Sequence, residues 1–144
     1  MKEFESSEQL KEVLGGFFIH FADSMTTGDP DYAEVGKALN DTGLVVHFVL
    51  RDPDLKIVID CEEKPIAVSF GDESPKAPTA SFSLLAENGH KFWLGKLNLP
   101  NALVRKQVVM KGPVARLLKV VPITRKVYPL YRQYLIDNGF EEFT

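Results

Sequence analysis

The amino-acid sequence predicts a single α+β domain. Its 144 residues fit one domain, which at this size buries roughly two-thirds of the surface of the unfolded chain. Near both ends of the chain, apolar residues recur at steps of three and four, as amphipathic helices require. In the middle they alternate with polar residues, as strands do. No internal repeat or low-complexity linker divides the chain.

The first predicted elements are two helices. One covers residues 6–25, begins at a serine cap and carries a wide apolar face. Gly15 and Gly16 lie inside it and weaken it by about 1 kcal/mol each relative to alanine, so we expect a close packing contact there in return. A second, shorter helix covers residues 31–39 and ends at the turn sequence 40–43.

The middle of the chain predicts strands. Residues 44–51, 55–61 and 65–70 are apolar or alternating segments separated by short turns, which is typical of an antiparallel meander. A fourth strand follows at 79–86, and a fifth at 107–111.

After a turn at 87–89 the pattern returns to helix. Short helices are predicted over 92–97 and 100–106, and Pro113 is well placed as the first residue of a last helix. Two further prolines interrupt the following stretch, so we expect two or three short helical pieces there. These prolines are Pro122 and Pro129.

The residue types that usually carry catalysis are present but scattered. The three histidines are far apart in the sequence, without the spacing of metal ligands, and the acidic pairs lie in turns between strands. The lone Cys61 at a strand end is typical of a small core residue. We therefore expect no enzyme activity, no metal site and no cofactor. The histidines and acidic pairs are His20, His47, His90, Asp52/Asp54 and Glu62/Glu63.

The charged N-terminal residues and the lack of a long apolar run argue against a signal peptide or a membrane span, so a cytoplasmic location is expected. The net charge is only −3, but its distribution is uneven. Residues 1–87 carry 17 acidic and 7 basic side chains, whereas residues 88–136 carry 10 basic and no acidic ones. Such an asymmetry indicates a charged surface that meets a partner.

The second half of the chain resembles the sterol carrier protein 2 (SCP-2) family. The residues that carry the resemblance are the strand 80–84, the element Gly95-Lys96-Leu97-Asn98, and Met110-Lys111-Gly112 ahead of a final amphipathic helix. The order of predicted elements also matches that family from about residue 6 to 121.

The resemblance implies a five-stranded, mainly antiparallel sheet covered on one face by short helices, with a hydrophobic tunnel between the layers. It implies non-enzymatic binding or transfer of a hydrophobic ligand: a sterol, fatty acid or acyl-CoA, phospholipid or isoprenoid quinone. The whole chain would be one such domain, with 122–144 as a helical extension that either caps or blocks the tunnel. Carried over to this sequence, the apolar lining would be Phe17, Phe21, Phe82, Leu84, Phe92, Trp93, Leu97, Leu103, Val104, Met110, Leu117 and Leu118.

The basic stretch of the second half allows several interpretations. It is either a solvated polar face or a surface for anionic lipid head groups, for the phosphates of an acyl-CoA or for an acidic protein. A role as an accessory protein of a lipid- or quinone-biosynthetic complex is the alternative function. We expect no nucleic acid partner, because the aromatic residues lie at helical spacing among apolar neighbours. The residues predicted to contact head groups or a membrane are Arg105, Lys106, Lys111, Arg116, Lys119, Arg125 and Lys126.

Overall fold

The computed structural model of the chain describes residues 2–144, apart from the side chains of Val114 and Leu118. The helices are α1 (Ser7–Leu10), α2 (Gly16–Ser24), α3 (Pro30–Thr42), α4 (Ala86–Trp93), α5 (Leu99–Val104) and α6 (Val114–Asp137). The strands are β1 (Val45–Arg51), β2 (Leu55–Asp60), β3 (Ala67–Phe70), β4 (Ala80–Leu85) and β5 (Val108–Lys111). A π-helical turn (Lys11–Gly15) joins α1 to α2, and a 3₁₀ turn (Glu141–Phe143) follows α6.

The five strands form one sheet in the order β3-β2-β1-β4-β5. The first three make the antiparallel meander that the alternating pattern predicts. β4 lies beside β1 and runs parallel to it, and β5 pairs antiparallel with β4. The predicted α+β fold with a mainly antiparallel five-stranded sheet is confirmed.

The first helical segment is continuous across its three pieces and begins at the predicted serine cap. The Ser6 hydroxyl oxygen accepts a hydrogen bond from the Gln9 amide at 3.1 Å, which satisfies one of the free N–H groups of the first turn. The two glycines make the close approach expected of them. A Cβ on Gly15 would lie 2.8 Å from the Phe70 ring, and one on Gly16 would lie 2.8 Å from the Tyr134 hydroxyl.

The last helix is longer than the sequence predicted. Instead of two or three short pieces, α6 runs unbroken for 24 residues through Pro122 and Pro129. Both prolines are exposed, so each missing hydrogen bond falls on the side where water can satisfy the carbonyl that loses its donor. Tyr131 and Leu135, which are fully buried, hold the helix in place despite those losses. Residue 122 therefore lies inside a continuous helix.

A second difference concerns residues 87–89, which were expected to form a turn. They lie inside α4, which begins at Ala86 directly after β4. Gly89 has a packing role there, because a Cβ on it would lie 2.8 Å from Leu50 Cδ2 in β1. The glycine lets the helix rest close against the sheet, and this contact fixes the position of Trp93 at the end of α4.

Candidate functional site

The candidate site is an apolar cavity at one end of the sheet, beneath the helices. Its floor is set by strand register: Val46 pairs with Ile59, and Phe82 pairs with both Phe48 and Met110. Residues that pair directly across strands point to the same face of a sheet, so these five side chains share one surface. The rings of Phe48 and Phe82 stack with centroids 5.2 Å apart, which makes the floor continuous across β1 and β4.

The walls and roof of the cavity come from five helices, of which α3 contributes only Leu39. α2, α4 and α5 each contribute a pair of side chains, and α6 contributes one long side of the roof. The pairs are Phe18 and Phe21, Phe92 and Trp93, and Leu99 and Leu103. The α6 residues are Leu117, Val120, Val121, Ile123, Thr124 and Val127.

The cavity has a volume of about 70 Å³. For scale, a cavity of roughly 150 Å³ lined by apolar side chains stays dry and holds one benzene molecule. The space in this protein is therefore a narrow slot between sheet and helices, which is smaller than a sterol or a fatty-acid chain. A ligand of that kind enters only if the helices move away from the sheet.

Four lining residues carry a side-chain heteroatom, Cys61, Trp93, Met110 and Thr124, and none of them is charged. The Thr124 hydroxyl donates to the Val121 carbonyl oxygen at 2.7 Å, and its own lone pairs remain available as acceptors. Cys61 is 1% exposed, and burial raises the pKa of its thiol to about 11. At neutral pH the thiol stays protonated and behaves as a small apolar group.

Seven of the twelve predicted lining residues contribute to the cavity wall. They are Phe21, Phe82, Phe92, Trp93, Leu103, Met110 and Leu117. The side chain of an eighth, Leu118, lies outside what the structure describes.

The remaining four predicted lining residues lie elsewhere. Phe17 packs on α6, with its ring 4.9 Å from that of Tyr131, because the wide apolar face of α2 is divided between α6 and the cavity. Leu84 is buried further along β4, under α4, and Leu97 is only partly buried, in the bend between α4 and α5. Val104 is 82% exposed: α5 turns Ala102 inward, so Val104 faces solvent.

Sequence reasoning missed Leu99 and most of the α6 residues of the lining. From the first half of the chain it identified only Phe21 and missed eight other lining residues. These residues are Phe18, Leu39, Leu44, Val46, Phe48, Ile59, Cys61 and Ile66. A signal for them was available, because the alternation in β2 already placed Ile59 and Cys61 on the same face as Ile57. What the sequence did not provide was the parallel pairing of β1 with β4, which brings that face under the later helices.

The seven predicted head-group residues divide into two groups. Arg116 donates to the Thr42 carbonyl oxygen and Lys126 pairs with Glu34, so both link α6 to α3. The other five are exposed and form no salt bridge within the described part of the chain. They are Arg105, Lys106, Lys111, Lys119 and Arg125.

One histidine has a structural role that its isolation in the sequence did not indicate. His90 is 1% exposed, with Nδ1 2.7 Å from the Tyr131 hydroxyl and Nε2 2.7 Å from the Phe143 carbonyl oxygen. The Nε2–H donates to that carbonyl and the tyrosine hydroxyl donates to Nδ1, which describes a neutral ring. Burial lowers the pKa of His90 and raises that of Tyr131 well above its usual value. The pair fastens the C-terminal turn to α4, next to Trp93.

Two chemical features are not found in the described part of the chain. No group of three His, Cys, Asp or Glu side chains converges there as a metal site would require. No helix of residues 2–144 is both long enough and apolar enough to cross a membrane.

Comparison with known proteins relates this arrangement to one family. The model of the SCP-2 sterol transfer family matches residues 25–125. The sterol carrier protein domain 2 of Helicoverpa armigera superposes with a TM-score of 0.64 at 18% identity, over 89% of this chain and 96% of that one. The apo form of sterol carrier protein 2 from Yarrowia lipolytica gives 0.59 at 18% identity, over 78% and 88%. A ubiquinone synthesis protein, UbiJ-SCP2, gives 0.57 at 11% identity, over 80% and 96%. No curated protein matches the sequence closely enough to count as a relative.

Proposed function

Because the chain belongs to the SCP-2 sterol transfer family, whose domains bind or transfer lipids, we propose that its apolar cavity binds a hydrophobic ligand that the protein carries without chemical change. The observation that supports this most directly is the lining, in which 21 side chains surround one space and none is ionisable at neutral pH. Lining of this kind is typical of ligand sites for apolar molecules.

The lining also restricts the part of a ligand that is buried. An ionised carboxylate or phosphate is very costly to bury without a paired charge, and the cavity offers none. The buried part is therefore neutral: a sterol, an isoprenoid quinone, or the hydrocarbon chain of a fatty acid or phospholipid. The head group of any acidic lipid would stay at the partly exposed side, near Leu103 and Met110.

Binding depends on widening the cavity, and the energies make this feasible. Each methylene transferred from water into an apolar site contributes about 0.8 kcal/mol. A chain of ten methylenes thus contributes about 8 kcal/mol, against the cost of lifting a short helix. We expect α5 to move, because it is six residues long, only Ala102 in it is fully buried, and Leu99 and Leu103 are half-buried.

The test uses Trp93, the only tryptophan of the chain, which lines the cavity. Energy transfer from Trp93 to cis-parinaric acid, a fluorescent fatty acid, and to dehydroergosterol, a fluorescent sterol, reports occupancy directly. We expect saturable transfer for at least one probe, competed by the non-fluorescent parent lipid. If neither probe gives transfer, and lipid extraction of the purified protein yields no apolar ligand, the proposal is wrong.

A second candidate function is presentation of a quinone precursor to a biosynthetic complex. It is supported by the five exposed basic side chains without salt bridges, and by the likeness of fold to a protein named for ubiquinone synthesis. Quenching of Trp93 by decylubiquinone, in the absence of transfer to either fluorescent lipid, would favour this alternative. A pull-down that recovers no partner would count against it.

A further inference from the structure

A second open space lies outside the cavity, between the first helical segment and the edge strand β3. We call it the edge groove. One face of the helical segment borders it, and residues 65–68 border it from the other side. Where that face reaches Phe70, helix and strand are in close contact, because a Cβ on Gly15 would lie 2.8 Å from the ring. Beyond this contact the groove opens. The helix face, at steps of three and four, consists of Gly15, Ile19, Ala22, Asp23 and Thr26.

One buried side chain separates the edge groove from the cavity. Ile66 is 2% exposed, and among the described residues it alone belongs to the lining of both spaces. It lies one residue before β3, so its backbone is outside the ladder that pairs β3 with β2. A change in the rotamer of Ile66 would therefore join the two spaces without breaking a hydrogen bond of the sheet.

The edge groove provides room that the cavity lacks. Ligand pockets usually have volumes of about 300–1,000 Å³. The groove, at about 360 Å³, falls within this range, whereas the cavity, at about 70 Å³, falls far below it. A single-chain lipid that continues from the cavity past Ile66 into the groove thus requires less displacement of the helices than one that is wholly enclosed.

The charge of the edge groove favours one kind of polar end. Asp23 is exposed, is the one ionisable residue of the groove lining, and takes part in none of the salt bridges of the described chain. It lies in the last turn of α2, where the helix carbonyl groups add partial negative charge. The Thr26 hydroxyl donates to the Asp23 carbonyl oxygen at 2.9 Å, so its lone pairs are left as acceptors. A protonated amine is attracted to such a site, and a carboxylate or phosphate is repelled.

We propose that the edge groove receives the polar end of a single-chain lipid whose hydrocarbon part lies in the cavity, and that this end is a protonated amine rather than a carboxylate or phosphate. The inference rests on the proposed function, because it requires that the cavity takes up lipid. A peptide strand added to the edge of β3 is the other candidate occupant. β3 offers it only four residues, and such a peptide would have no use for the cavity behind Ile66.

The first test compares hexadecylamine with palmitate, two ligands of equal chain length and opposite charge, as competitors of cis-parinaric acid. Energy transfer from Trp93 reports the displacement, and the affinity of each variant for the probe is measured first. The wild type should bind the amine more tightly than palmitate. Asp23→Asn should weaken amine binding roughly fivefold, as for an exposed ion pair, and should not weaken palmitate. The matched control, Asp41→Asn, removes an exposed carboxylate from the last turn of α3, outside both linings, and should behave as the wild type.

The second test fills the edge groove. Ala67 is exposed and lines the groove but not the cavity, so Ala67→Phe occupies the groove and leaves the cavity unchanged. Hexadecylamine should bind roughly fifteenfold more weakly, as expected when about two of its methylenes lose their place. The control Ser69→Phe adds the same ring to the same strand outside both linings, and it should bind the amine as the wild type does. Thermal unfolding checks that each variant is folded.

The groove assignment is wrong if the wild type prefers palmitate, if Asp23→Asn and Asp41→Asn have the same effect on amine binding, or if folded Ala67→Phe binds the amine with wild-type affinity. In each of these cases, displacement of cis-parinaric acid by palmitate would still support lipid binding in the cavity. If the probe itself gives no energy transfer from Trp93 and dehydroergosterol gives none either, the groove assignment and the proposed function both fail.

Discussion

Filling the cavity from within distinguishes a ligand site from an ordinary packing defect. Cys61 is suited to this, because its side chain is small, fully buried and part of the lining. Cys61→Leu extends an apolar side chain into the void without adding a polar group or a charge. The substitution should exclude a ligand while leaving the fold intact.

The magnitude follows from the cavity volume. At roughly 24 cal/mol per Å³, a void of about 70 Å³ destabilises the empty protein by about 1.7 kcal/mol, which is the most that filling it can recover. Overpacking opposes this gain by about 1–3 kcal/mol, so the free energy of unfolding should change by no more than about 1.5 kcal/mol in either direction. If the added leucine side chain takes the space of three ligand methylenes, the binding free energy should become about 2.4 kcal/mol less favourable, which is a roughly sixtyfold loss of affinity.

The assay is energy transfer from Trp93 to cis-parinaric acid, measured for the wild type, Cys61→Leu and the control Cys61→Ala. The alanine variant removes the same thiol but widens the cavity, so it should bind the probe at least as well as the wild type. Thermal unfolding of each variant checks that the fold is retained. If Cys61→Leu is folded and binds the probe with wild-type affinity, the ligand does not occupy this cavity and the reasoning is refuted.

Three further predictions concern polar groups near the cavity. Thr124→Val removes the single hydroxyl of the lining and should weaken the binding of dehydroergosterol, which carries one hydroxyl, by roughly fivefold. The binding of dehydroergosterol methyl ether should not change. Equal effects on both probes would contradict a role for the Thr124 hydroxyl. Tyr131→Phe leaves Nδ1 of His90 buried without its hydrogen-bond partner. The free energy of unfolding should fall by about 2 kcal/mol, and Tm, measured by calorimetry, by roughly 4–8 °C. A Tm shift below a degree would be inconsistent with the hydrogen bond between Tyr131 and His90. Burial lowers the pKa of His90, while the hydrogen bond to the Phe143 carbonyl opposes this, Lys96 adds a smaller lowering and Glu87 a smaller opposing effect. Above about pH 6.5 the ring is neutral in both the folded and the unfolded chain, so it contributes no pH dependence to stability there. Stability should fall as the pH drops below that value, since the unfolded chain takes up the proton first.

The histidine prediction has its own control. His47, on β1, also has a pKa lowered by burial and contributes a loss of stability in the same direction. His90→Gln should therefore reduce the pH dependence of the unfolding free energy between about pH 5 and 6.5 without abolishing it. An unchanged slope in that variant would show that His90 is not the group responsible.

Much of the fold could be predicted because local patterns and tertiary packing agree. In β2, the alternation of Ile57, Ile59 and Cys61 identifies the inward face, and the structure buries all three. The helix at Ser6 is similarly fixed by its cap. Where several local conformations are compatible with the sequence, packing decides. The two prolines of α6 predict a break, but the buried side chains of Tyr131 and Leu135 keep the helix whole.

The cavity could be predicted only in part, for a physical reason. Periodicity identifies which side chains are apolar and inward, but it does not separate those that touch another helix from those that face a void. Phe17 and Phe18 are adjacent and both buried, yet one packs on Tyr131 and the other lines the cavity. That difference depends on the placement of α6 over the sheet, which arises from contacts distant in sequence.

A cavity this small can still bind a lipid if the helices that form its roof move while the strands that form its floor stay in place. The floor residues belong to strands joined by continuous hydrogen-bonded ladders, and separating these would break several hydrogen bonds at once. The second half of α6 is anchored by Tyr131 and Leu135, neither of which has any exposed surface. α5 is short, and lifting it would expose one fully buried side chain, Ala102, and the two half-buried lining residues Leu99 and Leu103. The chain segment from α5 to β5 that would have to lift also carries the half-buried lining residue Leu103 and the exposed Val104, so the part of the cavity that opens is the part nearest the surface.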